Sequence, residues 1–587
     1  MSLLDDASLL VTPNAEKEGK LYSIIPTNGN GDFSVTRATT ATRVNAAGLV
    51  ELVPYNLLQY SEMFSNAAWL KENSSITANT TTAPNGTLTA DKLVENTSNS
   101  NHRTFQSYTA PSLGSYTYTC YAKQAGRTMF RIAIFDGGTT KTAFFNIANG
   151  TIFSTINCTS SITNVGDGWY RCTITATITS TSLQLQSWLS LPDATTVYTG
   201  DGTSGVFIWG AQLVEGTSAL DYQATETRLN IPRLDYSLGG CPNILLEPQR
   251  TNLFLRSEEF DNASWNKGFS SITSNSTISP SGVQNADTFL ADGTNAPHNV
   301  AQSISVISGT TYSFSVYAKK NTNNFLQLTP LSTVFGSNVW ANFDLNNGVV
   351  GSVGSSATAS IQSVGNGWYR CSITGAALST SSVFIAHIIV SSASSLRAEI
   401  NTLSTSVFLW GAQLEPGAYA TSYIPTTSAS VTRNADVISR GNIFTNGLIT
   451  ASGGTWFVDL RNNIPLTRDV SNVGMFLNEL NSATSGNGFT FRTSSAASTR
   501  VTIVKILAGA STTLHTTSAN TSKVAIKWNG TTADIFENGV KVISATAFNF
   551  TAMQFLSGNA NETPKYINSM ALFPTPLTDT QCIALTT

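Results

Sequence analysis

The string GDGWYRCTIT (Gly166 to Thr175) returns almost unchanged as GNGWYRCSIT (Gly365 to Thr374). Its neighbours return with it. NLLQYSEMFSNAAWLK (from Asn56) matches NLFLRSEEFDNASWNK (from Asn252), a displacement of 196 residues. The displacement is 199 at the Trp-Tyr-Arg-Cys string and 201 where FIWGAQL (from Phe207) meets FLWGAQL (from Phe408). A slow drift of this kind marks two copies of one domain that differ by a few loop residues, so the opening string is a piece of a repeated fold and not an isolated catalytic signature.

Within the copies the period is that of strands. TYSFSVYAK alternates Tyr312, Phe314 and Val316 with Ser313, Ser315 and Tyr317, and Gly, Asn and Ser clusters interrupt at short intervals. The Gly-Asp/Asn-Gly triplet reads as a turn into a strand, with Trp and Tyr packing beside it, Arg capping or pairing nearby and Cys filling a small apolar space. About 170 residues of short strands without helical period predict a β-sandwich or jelly roll. Trp69/Trp265, Trp169/Trp368 and Trp209/Trp410 hold matching places in both copies and read as core residues.

Composition agrees. Charged residues make up 11% of the 587, against about 25% in average soluble proteins. Hydroxyls and amides take their place, which suits exposed strand faces, while 41% hydrophobic residues exclude an unfolded chain. A net charge of −3 without a basic stripe argues against nucleic acid as a partner. No apolar run reaches the roughly 20 residues of a membrane span, and the acidic start MSLLDDASLL is not expected to be a secretory signal. The six cysteines show no CxxC pair, and the copies share one cysteine position, Cys172 and Cys371, so reduced thiols are expected.

The expected organisation is all-β. Residues 1–55 form a short N-terminal attachment segment, 56–225 and 252–429 the two jelly-roll modules joined by a connector at 226–251, and 430–587 a third sandwich. In this last part, turns at Asn529-Gly530 and Asn538-Gly539 join alternating strands, and a short helix closes the chain. Three connector strings, SVTRATTATRVNAAG, TETRLNIPRLDYSLGG and SVTRNADVISRG, each carry spaced arginines and end at Gly. They read as ordered clips, since flexible tethers are Gly/Ser-rich and lack apolar residues. The N-terminal segment is too short for a core of its own and is expected to dock on a partner or a neighbouring subunit.

The YAK, GWYRC and FxWGAQL strings, repeated in order, resemble tandem carbohydrate-binding-type jelly rolls of tailed-bacteriophage virion proteins. TRATTATRVNAAGLVE and NILLEPQRTNLF resemble sequences that recur in phage fibres and appendages. IKWNG, ENGVKV and SMALFPTPLTDTQ are similar to concanavalin-A-like or laminin-G-like sandwiches. The resemblance covers nearly all the chain after about Leu21. It implies a structural virion protein, assembled in a host cytoplasm as a homotrimer, attached to other virion proteins and contacting host-surface or mucus glycans.

No catalytic residue is expected: the four histidines are scattered, and no HExxH, GxSxG or P-loop string occurs. The alternatives are a decoration without sugar binding, a polysaccharide-depolymerising tailspike and a secreted polysaccharide-binding protein. Sugars stack their apolar faces on aromatic rings, and polar side chains meet their hydroxyls. Counting at a displacement of 199 pairs Trp188 with His387, both in a strand of the kind that lines a jelly-roll face. Trp188 is the candidate platform, with an ordinary strand aromatic as the alternative. His102 and His298, also matched, are candidates for a rim. The loop YTGDGTSG offers Asp201 as a Ca²⁺ ligand, the one cofactor suggested, and the second copy lacks this loop.

Overall fold

The computed structural model describes residues 3–110, 113–450, 452–461, 473–479, 486–493, 501–507, 509–518, 521–548, 553–559 and 565–587. The fold is all-β, built of antiparallel sheets. It divides into two compact units: Val53–Leu229, the first module, and Met1–Leu52 with Asn230–Thr587.

Each module is a pair of six-stranded sheets. In the first, one sheet runs in the order Thr151–Ile156, Thr140–Asn146, Met129–Phe135, Ser182–Ser190, Arg103–Thr109, Leu70–Glu72. The other runs Thr159–Gly166, Trp169–Thr177, Ser115–Ala125, Gly205–Glu215, Ala90–Glu95, Ser74–Thr81. Alternate residues meet between them: Tyr116, Tyr118, Cys120 and Ala122 from one sheet, Ile132, Ile134, Leu183, Leu185 and Leu189 from the other. The second module repeats this order strand for strand.

The opening strings do the same work in both copies. Gly166, Asp167 and Gly168 have φ of +95°, +50° and +77°, and Gly365, Asn366 and Gly367 have +86°, +52° and +76°. Such a left-handed run favours Gly, with Asp or Asn tolerated between. Trp169 and Trp368 are buried, and their indole N–H groups donate to the carbonyls of Thr82 and Ile278 at 3.0 and 3.1 Å. Tyr170 lies against Gly150 so closely that an added Cβ there would sit 2.5 Å from its ring, and Tyr369 does the same over Gly348. The Arg171 and Arg370 guanidinium groups lie 5.6 and 5.3 Å from the Tyr121 and Tyr317 rings. Cys172 and Cys371 fill the core as free thiols.

The third sandwich departs from the expected organisation, because it is assembled from three separated parts of the chain. One sheet runs Leu234–Asp235, Asn243–Leu246, Lys565–Phe573, Gly454–Arg461, Thr521–Trp528, Thr532–Glu537, Val540–Ala547, and Leu9–Val11 also pairs with Lys565–Phe573. The other begins Glu16–Lys17, Lys20–Leu21, Phe33–Thr36, Val437–Arg440 before continuing through C-terminal strands. Leu9, Val11, Leu21, Phe33 and Val35 enter the same core as Trp456, Phe491 and Trp528. The N-terminal segment expected to dock on a partner is therefore seated within its own chain. Its few apolar residues cannot form a core alone, and the nearest apolar faces are those of the C-terminal strands. The Asn538-Gly539 turn and the closing helix Asp579–Thr586, capped by Thr578, stand where the sequence places them.

The three connectors meet in one buried ion cluster. Asp436 accepts from Arg37 at 2.7 Å, from Arg233, and from the Glu247 backbone N–H at 2.9 Å. Glu247 pairs with Arg233 at 2.6 Å and Arg433 at 2.8 Å, and also accepts from the Ser422 hydroxyl at 2.6 Å. All five charged side chains are at most 4% exposed. Burial works to raise the Glu247 carboxyl, but Arg433 and Arg233 outweigh it and hold the group well below the usual carboxylate range. Each connector string thus supplies one arginine, and each string is ordered by it.

Candidate ligand-binding face

In the strand Ser182–Ser190, Leu183, Leu185 and Leu189 point into the core. Successive strand residues face opposite sides, so Gln184, Gln186, Trp188 and Ser190 stand on the outer face. Cross-strand register then sets one row across the whole sheet: Glu72 opposite Arg103, Arg103 opposite Trp188, Trp188 opposite Arg131, Arg131 opposite Phe144, Phe144 opposite Ser154. Directly opposed side chains touch, and this row is a continuous strip of charged and aromatic side chains.

Its centre is a stack. The guanidinium groups of Arg103 and Arg131, coming from the two neighbouring strands, lie 4.5 and 4.3 Å from the Trp188 ring. Arg103 is bound by Glu72 at 2.6 Å. Arg131 donates through Nε to the Thr142 hydroxyl at 2.9 Å and lies 5.2 Å from the Phe144 ring. Burial, and then the charge of Arg103, pull the Arg131 guanidinium down to about 10. The Trp188 indole N–H donates to Gln186 at 2.9 Å, and Gln186 donates in turn to Gln184 at 3.0 Å.

Trp188 therefore stands on the expected face, but not as an open platform. The residue is only 6% exposed and two guanidinium groups lie against its ring, so a sugar ring has no free indole face to stack on. The exposed chemistry belongs to the arginines that the indole supports. Sequence reasoning missed Arg103, Arg131 and Phe144. The signal was present in the alternation of RTFQSYT and MFRIAIF, which puts Arg103 and Phe105 on one face and opposes Arg131 to the core-facing Ile132 and Ile134.

His387 lies on the other side of its sheet. Its partner across the strands is Val300, and its ring packs among Trp265, Phe260 and Phe254. Burial, only partly opposed by a hydrogen bond to the Val300 carbonyl, pulls the imidazole down to about 4. The displacement at this strand is 200, not 199: Arg103 corresponds to Asn299, which faces Ile388. Trp188 thus corresponds to Ile388 and His387 to Ser187. One residue of slip inverts the face.

His102 and His298 are fully buried rather than on a rim. Each sets Nδ1 2.7 Å from a backbone carbonyl, of Asn73 and Phe269, and Nε2 against a second, of Tyr198 at 3.1 Å and Asn401 at 3.2 Å. They pin loops to strands. Asp201 is exposed, and its carboxylate accepts from the Thr203 and Ser204 backbone N–H groups at 2.7 and 2.6 Å and from the Ser204 hydroxyl at 2.6 Å. Arg127 stands 3.9 Å away. Among the described residues no group of three or more His, Cys, Asp or Glu side chains is placed to hold a metal.

The corresponding face of the second module carries a cleft of about 250 Å³ lined by Asn299, Ala301, Thr329, Phe384, Ile388 and Arg397 among others. Its row reads Gly268, Asn299, Ile388, Gln327, Asn342. The loop after Ile389 closes over it: Asn342 donates to the carbonyls of Ala393 and Ser395 at 3.2 and 2.7 Å, and Gln327 donates to that of Leu396 at 3.0 Å.

No protein-family model matches the chain, and no curated protein matches it. Among solved structures, one similar chain is a mutant of the GH43 protein BlXynB from Bacillus licheniformis, at 10% identity and a TM-score of 0.16, covering 80% of this chain and 100% of that one. A TM-score so low carries no argument about fold or activity.

Proposed function

We propose that the chain is a non-enzymatic structural protein of a tailed-bacteriophage virion, a fibre-type appendage that holds glycans on the outer face of its first module. The observation that carries the glycan part is the Arg103–Trp188–Arg131–Phe144 row, in which buried aromatic rings hold guanidinium donors in place on the outer face, preset polar groups of the kind that fix a ligand's orientation. The row holds one carboxylate, Glu72, already bound by Arg103. Two carboxylates flanking a bond are needed for glycoside hydrolysis, so the row suits holding a chain and not cutting it. The phage part, including a homotrimer attached to other virion proteins, is supported by the likeness of the repeated and connector strings to phage appendage proteins.

A glycan array probed with the whole chain tests the reading, and retention of host-surface or mucus glycans is the expected result. Absence of any retained glycan, with and without Ca²⁺, refutes adhesion and favours a purely architectural decoration. That second reading has its own support in the second module, whose row is closed by its own loop. Incubation with host polysaccharide should leave the chain length unchanged. Imaging of the particle tests placement and threefold symmetry.

A further inference from the structure

Among the arginines that stack on aromatic rings, Arg103, Arg127 and Arg131 of the first module also bond through polar groups, yet they end differently. Arg103 is neutralised by Glu72, and Arg127, 5.2 Å from the Tyr198 ring, by Glu95 at 2.5 Å. Arg131 has no carboxylate partner among the described residues; its one hydrogen bond uses Nε and a neutral hydroxyl. Its two terminal nitrogens make no hydrogen bond and are not among the buried orphaned atoms, so they reach solvent. The side chain is half-buried and fixed in place by Trp188, Phe144 and Thr142.

A half-buried charge without a counterion is costly, and a guanidinium held at Nε and by its faces keeps one edge free, with two parallel N–H donors. That edge matches a planar carboxylate, which accepts both donors at once. Phe144 is buried with Arg131 over its ring, and the apolar surface left for the non-polar face of a sugar ring is that of Phe105, half-buried on the same face with Arg103 5.1 Å from its ring.

We infer that the first module selects acidic saccharides, a uronate-type carboxylate taking the free edge of Arg131 between the Trp188 and Phe144 rings. This inference rests on the glycan-binding reading above and adds the charge class of the ligand. In the second module the same position is Gln327, bound to its own loop, and this copy lacks the selectivity. Arg103, held by Glu72, sets the neighbouring wall.

The test uses the full chain and three soluble probes: a uronate oligosaccharide, the same oligosaccharide with its carboxyls reduced to alcohols, and a sulfated neutral oligosaccharide. Calorimetric titration should show binding of the uronate, with at least tenfold weaker binding of the reduced form and of the sulfate. Arg131→Gln should lose at least tenfold for the uronate and little for the reduced form. Arg131→Lys, which keeps the charge and loses the two-pronged edge, should fall between. Near-ultraviolet circular dichroism matching the wild type shows that each variant is folded. Equal binding of uronate and reduced forms, unchanged by Arg131→Gln, overturns the inference and leaves glycan binding standing. Tighter binding of the sulfated probe overturns the carboxylate assignment. Binding of none of the three, together with an empty array, overturns both readings.

Discussion

In the first module the row across the outer sheet runs Glu72, Arg103, Trp188, Arg131, Phe144; in the second it runs Gly268, Asn299, Ile388, Gln327, Asn342. Behind the rows the two cores are nearly interchangeable, with paired tryptophans, paired cysteines and the same strand order. The copies have kept what packs and changed what faces out. One row presents stacked cations, and the other has turned its amides into a fastening for the loop Ser391–Arg397. A strand exposes half its side chains without any packing constraint, so a duplicated sandwich can change its surface chemistry at little cost to its fold.

The modules differ also in what surrounds them. The first is a compact unit by itself, whereas the second belongs to a unit that includes the N-terminal segment and the third sandwich. Deletion of residues 1–36 separates the two cases most sharply. It removes Leu9, Val11, Leu21, Phe33 and Val35 from the third core. At roughly 1.5–3 kcal/mol for each buried side chain, the loss is comparable to the whole stability of a domain, about 5–15 kcal/mol. Calorimetry should show the third sandwich unfolded and the first module's transition unmoved. A fully folded third sandwich after deletion would refute the in-chain seating of this segment.

Asp436→Asn should come next, at about 3–5 kcal/mol, because it leaves Arg37 buried without the carboxylate it pairs with and Arg233 with Glu247 alone. The effect should fall on the larger unit alone, visible as one shifted and one unshifted thermal transition. A shift in both transitions would contradict the division into independent units.

His387 gives a smaller, pH-dependent contrast. Its folded value near 4 lies below the ordinary 6.5, so above pH 6.5 both folded and unfolded states are neutral and the packing contributes in full. As pH falls from 6.5 through 4 the unfolded state takes the proton first, and stability is lost. Asp287, raised to about 6 by burial, acts in the opposite sense: its penalty is greatest above pH 6 and is relieved as the pH falls towards 3.8. His387→Ser, which installs the residue of the first module, should remove the acid loss, on the order of 3 kcal/mol across that window at 1.36 kcal/mol per pH unit. Urea titrations at pH 7 and pH 4.5 compare the slopes. Equal slopes for wild type and variant would show that this imidazole does not govern them.

The smallest effect expected is that of Asn342→Ala. It leaves the Ala393 and Ser395 carbonyls without their amide donor, a loss of about 1–3 kcal/mol. Amide hydrogen exchange should speed up in residues 391–398 and nowhere in the first module. Unchanged exchange there would mean that the loop is held by other contacts.

Much of this could be read from the chain alone. The repeat, the all-β class, the GxG turns and the burial of Trp69, Trp169, Trp209 and their partners follow from local pattern, since strand period and turn chemistry are properties of adjacent residues. Trp188 lies on the outer face because LQLQSWLS alternates and Leu183, Leu185 and Leu189 take the inner one. Its true neighbours were not found, because Arg103 and Arg131 come from strands separated from it by 85 and 57 positions, and pairing is set by register across the sheet. The pairing with His387 slipped by one residue for a related reason: a single extra residue in the second copy, between Thr374 and Ser382, is invisible to similarity, yet it reverses inside and outside.

The sequence by itself determined the units of this protein: two copies of a sandwich, a different third one, and ordered connectors rich in arginine. The tertiary structure alone decided how the units are closed. Leu9–Val11 pairs with Lys565–Phe573, and arginines 37, 233 and 433 share two carboxylates. No local pattern records such contacts. Strand edges and buried charges accept any partner of the right geometry, and only the folded chain specifies which partner is brought to them.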